Sequence, residues 1–95
     1  MRRDVYQAIA DPIRRDIIKL LMKETMNINE VAKNYKISRP AVSKHLKILN
    51  ECGIININKK GRERLCKVKP TMLKPAYTWI DQYKELFKDN KTITP

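Results

Sequence analysis

The sequence predicts a mainly α-helical domain that carries a two-stranded β-hairpin, with five helices and the hairpin between the fourth and the fifth. Three observations predict it. Apolar residues recur at spacings of 3 and 4 through most of the chain, the period of amphipathic helices. Residues 54–68 instead alternate in part, are rich in β-branched side chains and contain Gly61, which suits a tight hairpin turn. A hydrophobic content of 42% with only 2 Gly and 5 Pro argues against disorder and against a β-rich fold. Ninety-five residues make one domain, 1–95. A chain of that size buries roughly 65% of its unfolded surface, so its core is modest and an oligomer would help it.

The elements follow in order. Residues 4–10 read as a short helix with Val5, Ile9 and Tyr6 on one side. Asp11-Pro12 starts the second helix, because Asp caps free amides and Pro is tolerated where the missing donor had no partner. Ile13, Ile17, Leu20 and Leu21 give this helix one apolar stripe, ending near Lys23. Asn27 or Asn29 caps a third helix, with Val31 and Ala32 inward. Tyr35, Lys36 and Ile37 form a turn. Ser38 is an N-cap for the fourth helix, Pro40 sits in its first turn, and Gly53 ends it in the left-handed position. Residues 29–53 are therefore two helices joined by a tight turn. The second of them is apolar on one side (Val42, Leu46, Leu49) and cationic with a hydroxyl on the other (Arg39, Ser43, Lys44, Lys47). Residues 54–58 and 62–68 are the two strands, with Lys59, Lys60 and Gly61 as the turn. A hairpin directly after such a helix is the arrangement of a winged helix-turn-helix. A last helix follows Pro70, its stripe made by Met72, Leu73, Ala76, Ile80, Tyr83, Leu86 and Phe87 and widened by Tyr77 and Trp79. Pro75 is absorbed near its start. Residues 90–95 are expected to fray.

Charge narrows the function. The chain carries 21 Lys and Arg against 10 Asp and Glu, net +11, with a pI near 9.9. Residues 33–69 hold 11 of the bases and only Glu51 and Glu63 as acids, net +9. Residues 1–32 and 70–95 are each net +1. A block of one sign around a groove-shaped helix points to a polyanion. Double-stranded DNA is the expected partner. Arg39 is expected to reach a guanine edge or a phosphate, Ser43 and Lys44 to approach base edges, and Lys47 to lie nearer the backbone. Ser38 is expected to add its hydroxyl and the helix N-terminus to attract phosphate, with Pro40 beside them on the same DNA-binding face. His45, at the flank of the apolar stripe, is expected as a structural or phosphate-contacting residue. Lys60 and Arg62 at the wing tip, followed by Arg64, are expected beside the groove.

The last segment holds four of the six aromatic residues. So short a chain has little interior left for them. A homodimer seam is expected, built from Tyr77, Trp79, Ile80, Tyr83 and Phe87 of the last helix. Such a dimer would set two recognition helices about one DNA turn apart. Enzymatic work has no candidate: there is one histidine, no paired carboxylates at a useful spacing and no Gly-rich phosphate loop. No cofactor or metal is expected, since that histidine lacks Cys or carboxylate neighbours. Cys52 and Cys66 read as small buried hydrophobes. Two alternatives stay open: a thiol- or metal-responsive repressor using Cys52 and Cys66, and a winged-helix module that docks acidic proteins. No apolar run is long enough to span a membrane, and the N-terminus has no signal-peptide core, so the expected location is the cytoplasm.

Two motifs carry a resemblance. Residues 6–21 (YQAIADPIRRDIIKLL) and residues 38–55 (SRPAVSKHLKILNECGII), in that order and with a wing and terminal helix behind them, resemble the ArsR/SmtB family of winged helix-turn-helix repressors across nearly the whole chain. The resemblance implies a homodimer seamed by the first and last helices, which adds Val5, Tyr6 and Ile9 of the first helix to the expected seam. It also implies an inverted-repeat operator, usually near the gene's own promoter. Metal-sensing members carry Cys-x-Cys on the third helix or Asp and His ligands on the last. Here the third helix reads Asn29-Glu30-Val31-Ala32-Lys33, and the last has Asp81 and Glu85 but no histidine. The chain therefore looks more similar to the metal-independent, SdpR-like autorepressors. A protein partner is then one route of release.

Overall fold

A computed structural model describes residues 3–88. The chain runs through α1 (Val5–Ala8), α2 (Pro12–Lys23), β1 (Met26–Asn27), α3 (Ile28–Ala32), α4 (Arg39–Glu51), β2 (Ile55–Lys60) and β3 (Glu63–Val68). A 3-10 turn (Pro70–Leu73), α5 (Lys74–Asp81) and α6 (Lys84–Lys88) complete it. This is a winged helix-turn-helix: α3 and α4 are the paired helices, and β2–β3 the wing.

Short polar side chains decide where the first four helices begin. Asp4 accepts the Gln7 amide at 3.0 Å. Asp11 accepts those of Ile13 (2.9 Å) and Arg14 (3.1 Å), with Pro12 as the first helical residue. Asn27 and Glu30 form a reciprocal capping box at 2.8 and 3.0 Å. Ser38 accepts the Ala41 amide at 3.2 Å. Each cap satisfies amides that have no partner inside the helix and is worth about 1 kcal/mol. Of the two asparagines expected as candidates for the third helix, Asn27 is the cap.

The core forms where α1, α2, α3, α4 and the sheet meet. Ile17, Val31, Val42, Leu46, Leu49, Ile54, Ile55 and Cys66 are fully enclosed, and Ile18 and Leu21 nearly so. On α2 the buried stripe is Ile17, Ile18 and Leu21, whereas Ile13 and Leu20 of the expected stripe are half-buried at its margin.

Four features differ from the sequence reading. First, the sheet has three strands in the order β1-β3-β2, all antiparallel. The two residues of β1 pair with Cys66 and Leu65 and cover the free edge of the wing's return strand. Two residues show no alternation, so the sequence held no strand signal there. Second, Lys59 and Lys60 lie in β2, and the turn is Gly61-Arg62 between the paired Lys60 and Glu63. Gly61 has φ +63°, the positive value required at the first position of a two-residue type II′ hairpin loop. Third, the expected first helix shrinks to one turn, because Asp11 already caps the next one. Fourth, the single last helix is broken into the 3-10 turn, α5 and α6. Pro70 and Pro75 start the first two pieces. At the later break the Tyr83 amide donates to the Ile80 carbonyl at 3.0 Å, and the Gln82 side chain donates to the Trp79 carbonyl at 2.8 Å. No Gly or Pro marks that break. The tail expected to fray, 90–95, lies outside the described residues.

Candidate nucleic-acid interface

The exposed face of α4 is set by what its other face buries. Val42, Leu46 and Leu49 are fully enclosed, so Arg39, Lys44 and Lys47 are turned to solvent and Ser43 is half-buried beside them. Ser38, spent on the cap, and Pro40 lie at the exposed N-terminal end. The wing stands alongside. Arg39 and Arg64 line two adjoining open depressions together. One, of about 530 Å³, is shared with Ser43, Lys47 and Asn50 of α4 and Ile57 of the wing. The other, of about 200 Å³, lies towards α3 and adds Asn27, Asn29, Arg62 and Glu63. Arg39, Ser43, Lys47, Arg62 and Arg64 are thus brought to one concave, cationic surface. Lys60 sits exposed at the end of β2.

His45 is placed differently from the rest. Its Nδ1 is 3.4 Å from Arg14 Nη1 and 3.8 Å from Asp11 Oδ2. It is therefore held against Asp11 and Arg14 at the start of α2. Arg14 is the hub of that contact. Its Nε donates to the Ala8 carbonyl at 3.0 Å and its Nη2 to the Gln7 carbonyl at 2.9 Å, fastening the end of α1 to α2. Burial raises the Asp11 pKa, but the Arg14 and Ile13 amides and the electrostatic influence of His45 and Arg14 outweigh it and hold the carboxyl below its ordinary value.

The aromatic residues form a second surface. Tyr6, Trp79, Ile80 and Phe87 are 45%, 53%, 42% and 52% exposed, too much for residues of their size to be core. Tyr77 and Tyr83 are exposed as well, and Trp79 meets Tyr83 edge to face at 5.5 Å. Tyr6, Ile9, Leu73, Ala76, Tyr77, Trp79 and Ile80 line a wholly apolar depression of about 360 Å³. Tyr6 also donates its hydroxyl to the Pro75 carbonyl at 3.3 Å, tying α1 to α5. Val5, expected on this surface, is instead buried in the chain's own core. It lies about 100° around α1 from Tyr6, on the side turned inward, and so is corrected to a core residue.

Both thiols are buried and free. Burial pushes the Cys66 thiol up to about 11 and raises that of Cys52. Among the described residues, no three His, Cys, Asp or Glu side chains are grouped as a metal site. Nor is any helix there long and apolar enough to cross a membrane.

Comparison with known proteins decides the family. Residues 11–56 match the description "Bacterial regulatory protein, arsR family". The chain is 34% identical to the transcriptional repressor SdpR of Bacillus subtilis (strain 168), over 81% of this chain and 86% of that one. The chain belongs to the ArsR family. A second relative of this ArsR-family chain is the HTH-type transcriptional regulator Rv2034 of Mycobacterium tuberculosis, 35% identical over 82% of this chain and 73% of that one. A solved structure described as a possible transcriptional regulator for arsenical resistance superposes with a TM-score of 0.81. It is 30% identical and covers 97% of this chain and 98% of that chain. The ArsR-family chain is accordingly a transcriptional regulator rather than an enzyme.

Three residues escaped the sequence reading of this ArsR-family regulator. Arg14 sits in the quoted opening motif, but charge on an amphipathic helix gave no sign that it turns back onto carbonyls. Asn29 was weighed only as a cap, yet its Oδ1 accepts from Arg39 Nε at 2.6 Å. Glu63, counted only as a stray acid, accepts from Asn27 Nδ2 at 3.2 Å and pins the wing to the start of α3. The Asn27-x-x-Glu30 spacing was a signal for the capping box that could have been used.

Proposed function

We propose that this chain is a cytoplasmic, DNA-binding transcriptional repressor that acts as a homodimer on an inverted-repeat operator, including that of its own promoter. The carrying observation is the shared concave surface of α4 and the wing, where Arg39, Ser43, Lys47, Arg62 and Arg64 meet. In this reading α4 enters the major groove by its N-terminal half, with Arg39, Ser43 and Lys44 at base edges. Ser38, Pro40 and Lys47 lie against phosphates, and Lys60, Arg62 and Arg64 follow the flanking backbone. His45 acts from behind by holding α4 on α2.

The dimer is supported by the exposed apolar surface of Tyr6, Ile9, Tyr77, Trp79, Ile80, Tyr83 and Phe87. A monomer that displays so continuous an apolar patch marks an interaction site. A two-fold axis there would repeat α4 at about 34 Å. Likeness to SdpR, a repressor by name, supports the repressor reading. The metal-independent reading is supported by residue types: the stretch Asn29-Glu30-Val31-Ala32-Lys33 at α3 holds no cysteine, and Cys52 and Cys66 are both buried elsewhere. Release then falls to another signal, such as a protein partner.

Fluorescence anisotropy tests the proposal. A duplex selected by the protein from random-sequence DNA is compared with a scrambled duplex of equal length over a salt series. About 8 phosphate contacts per dimer give a log–log salt slope near −7. Equal affinity for both duplexes, or binding indifferent to salt, would overturn it.

A further inference from the structure

We infer that Asn29 is a positioning residue for Arg39, holding the guanidinium by its Nε so that both Nη groups are left for DNA. The inference rests on the reading of Arg39 at a base edge. The two side chains come from different elements, Asn29 from the first turn of α3 and Arg39 from the first residue of α4. The Nε–Oδ1 distance of 2.6 Å is that of a short, charge-assisted hydrogen bond. Neither Nη of Arg39 has a hydrogen-bond or ion-pair partner among the described residues. The fork that pairs with guanine O6 and N7, or with two phosphate oxygens, is therefore the part left open.

Three further points carry the argument. The backbone that carries Asn29 is held, because it lies in the turn that the Asn27–Glu30 capping box closes. Both residues line the depression that also holds Arg62 and Arg64, so the anchored guanidinium sits at the junction of helix and wing. Both side chains are exposed, so water competes with their bond in the free protein. Once a duplex covers the depression and excludes water, the same bond strengthens and the fork is already aimed. Asn29 would thus sharpen discrimination between sequences more than it adds to overall affinity.

A double-mutant cycle tests this with the selected and scrambled duplexes above. Arg39→Ala is expected to lower the selected-to-scrambled affinity ratio by about 5- to 150-fold, the span of one bidentate base contact. Asn29→Ala should lower it by about 3- to 10-fold. In the Arg39→Ala background, Asn29→Ala should do nothing. Asn29→Asp keeps the acceptor oxygen and should retain the ratio, even where its charge weakens binding to both duplexes alike. An equal loss in both backgrounds would make Asn29 a DNA contact in its own right and overturn the inference. A silent Asn29→Ala beside a damaging Arg39→Ala overturns it too, and leaves the base-reading role of Arg39 standing. An Arg39→Ala protein with an unchanged ratio removes that role and the positioning role together. Circular dichroism of each variant separates these outcomes from unfolding.

Discussion

Helices α4 and α5 have the same design and opposite fates. Both are amphipathic, both begin with a proline in the first turn, and both are rich in apolar side chains. Helix α4 buries Val42, Leu46 and Leu49 completely, while α5 buries nothing. Helix α4 has a side-chain cap, from Ser38, and α5 has none. The difference teaches that an apolar stripe specifies burial but not the partner. One stripe is met by α2, α3 and the sheet; the other packs chiefly against α1 and the 3-10 turn, and most of it stays open.

The largest test of this comparison is a pair of truncations. Leu46→Ala removes a fully enclosed side chain and should cost roughly 2–5 kcal/mol in urea unfolding. Ile80→Ala, on the open face, should cost under about 1 kcal/mol at concentrations where the chain is a monomer. Equal costs would mean that α5 is as well packed as α4. Next, Trp79→Ala should weaken self-association by about 2 kcal/mol, as a large central aromatic does. A sedimentation profile at micromolar concentration that is unchanged from wild type would reject the seam. Ser38→Ala should destabilise by about 1 kcal/mol through the lost cap of α4, measured by thermal unfolding. No comparable side-chain substitution exists for α5.

The smallest expected effect is acidic. Asp11 has a folded pKa below its ordinary value of 3.8, so its contribution to stability is present above that value and is lost as pH falls through the lower folded one. Acid unfolding of Asp11→Asn should therefore begin from a lower plateau and show a shallower fall below about pH 4 than wild type. A parallel acid limb would show that the Asp11 cap and its contacts with Arg14 and His45 contribute nothing.

Much of this was legible in the chain because it is local. A cap is a short polar residue next to the amides it serves, so Asp11, Ser38 and the asparagine before α3 could be read directly. The positive φ of Gly61 and Gly53 likewise follows from the residue type. The stripe of α4 is a fixed period, which is why its cationic face could be named residue by residue. Other features depend on meetings between distant segments. Strand β1 exists only because β3 lies beside it. Asn29 meets Arg39 across the turn, and Arg14 meets His45 across 31 positions.

The sequence by itself determined the first four helices and the wing, their order, the +9 block and the two faces of α4, because helix period, capping and charge are properties of neighbouring residues. Only the tertiary structure decided that Val5 turns into the core while Tyr6 beside it turns out. It alone decided that His45 is held against α2, and that Arg39 Nε is hydrogen-bonded to Asn29. Those outcomes depend on which surfaces meet in space, and a one-dimensional pattern leaves that choice open.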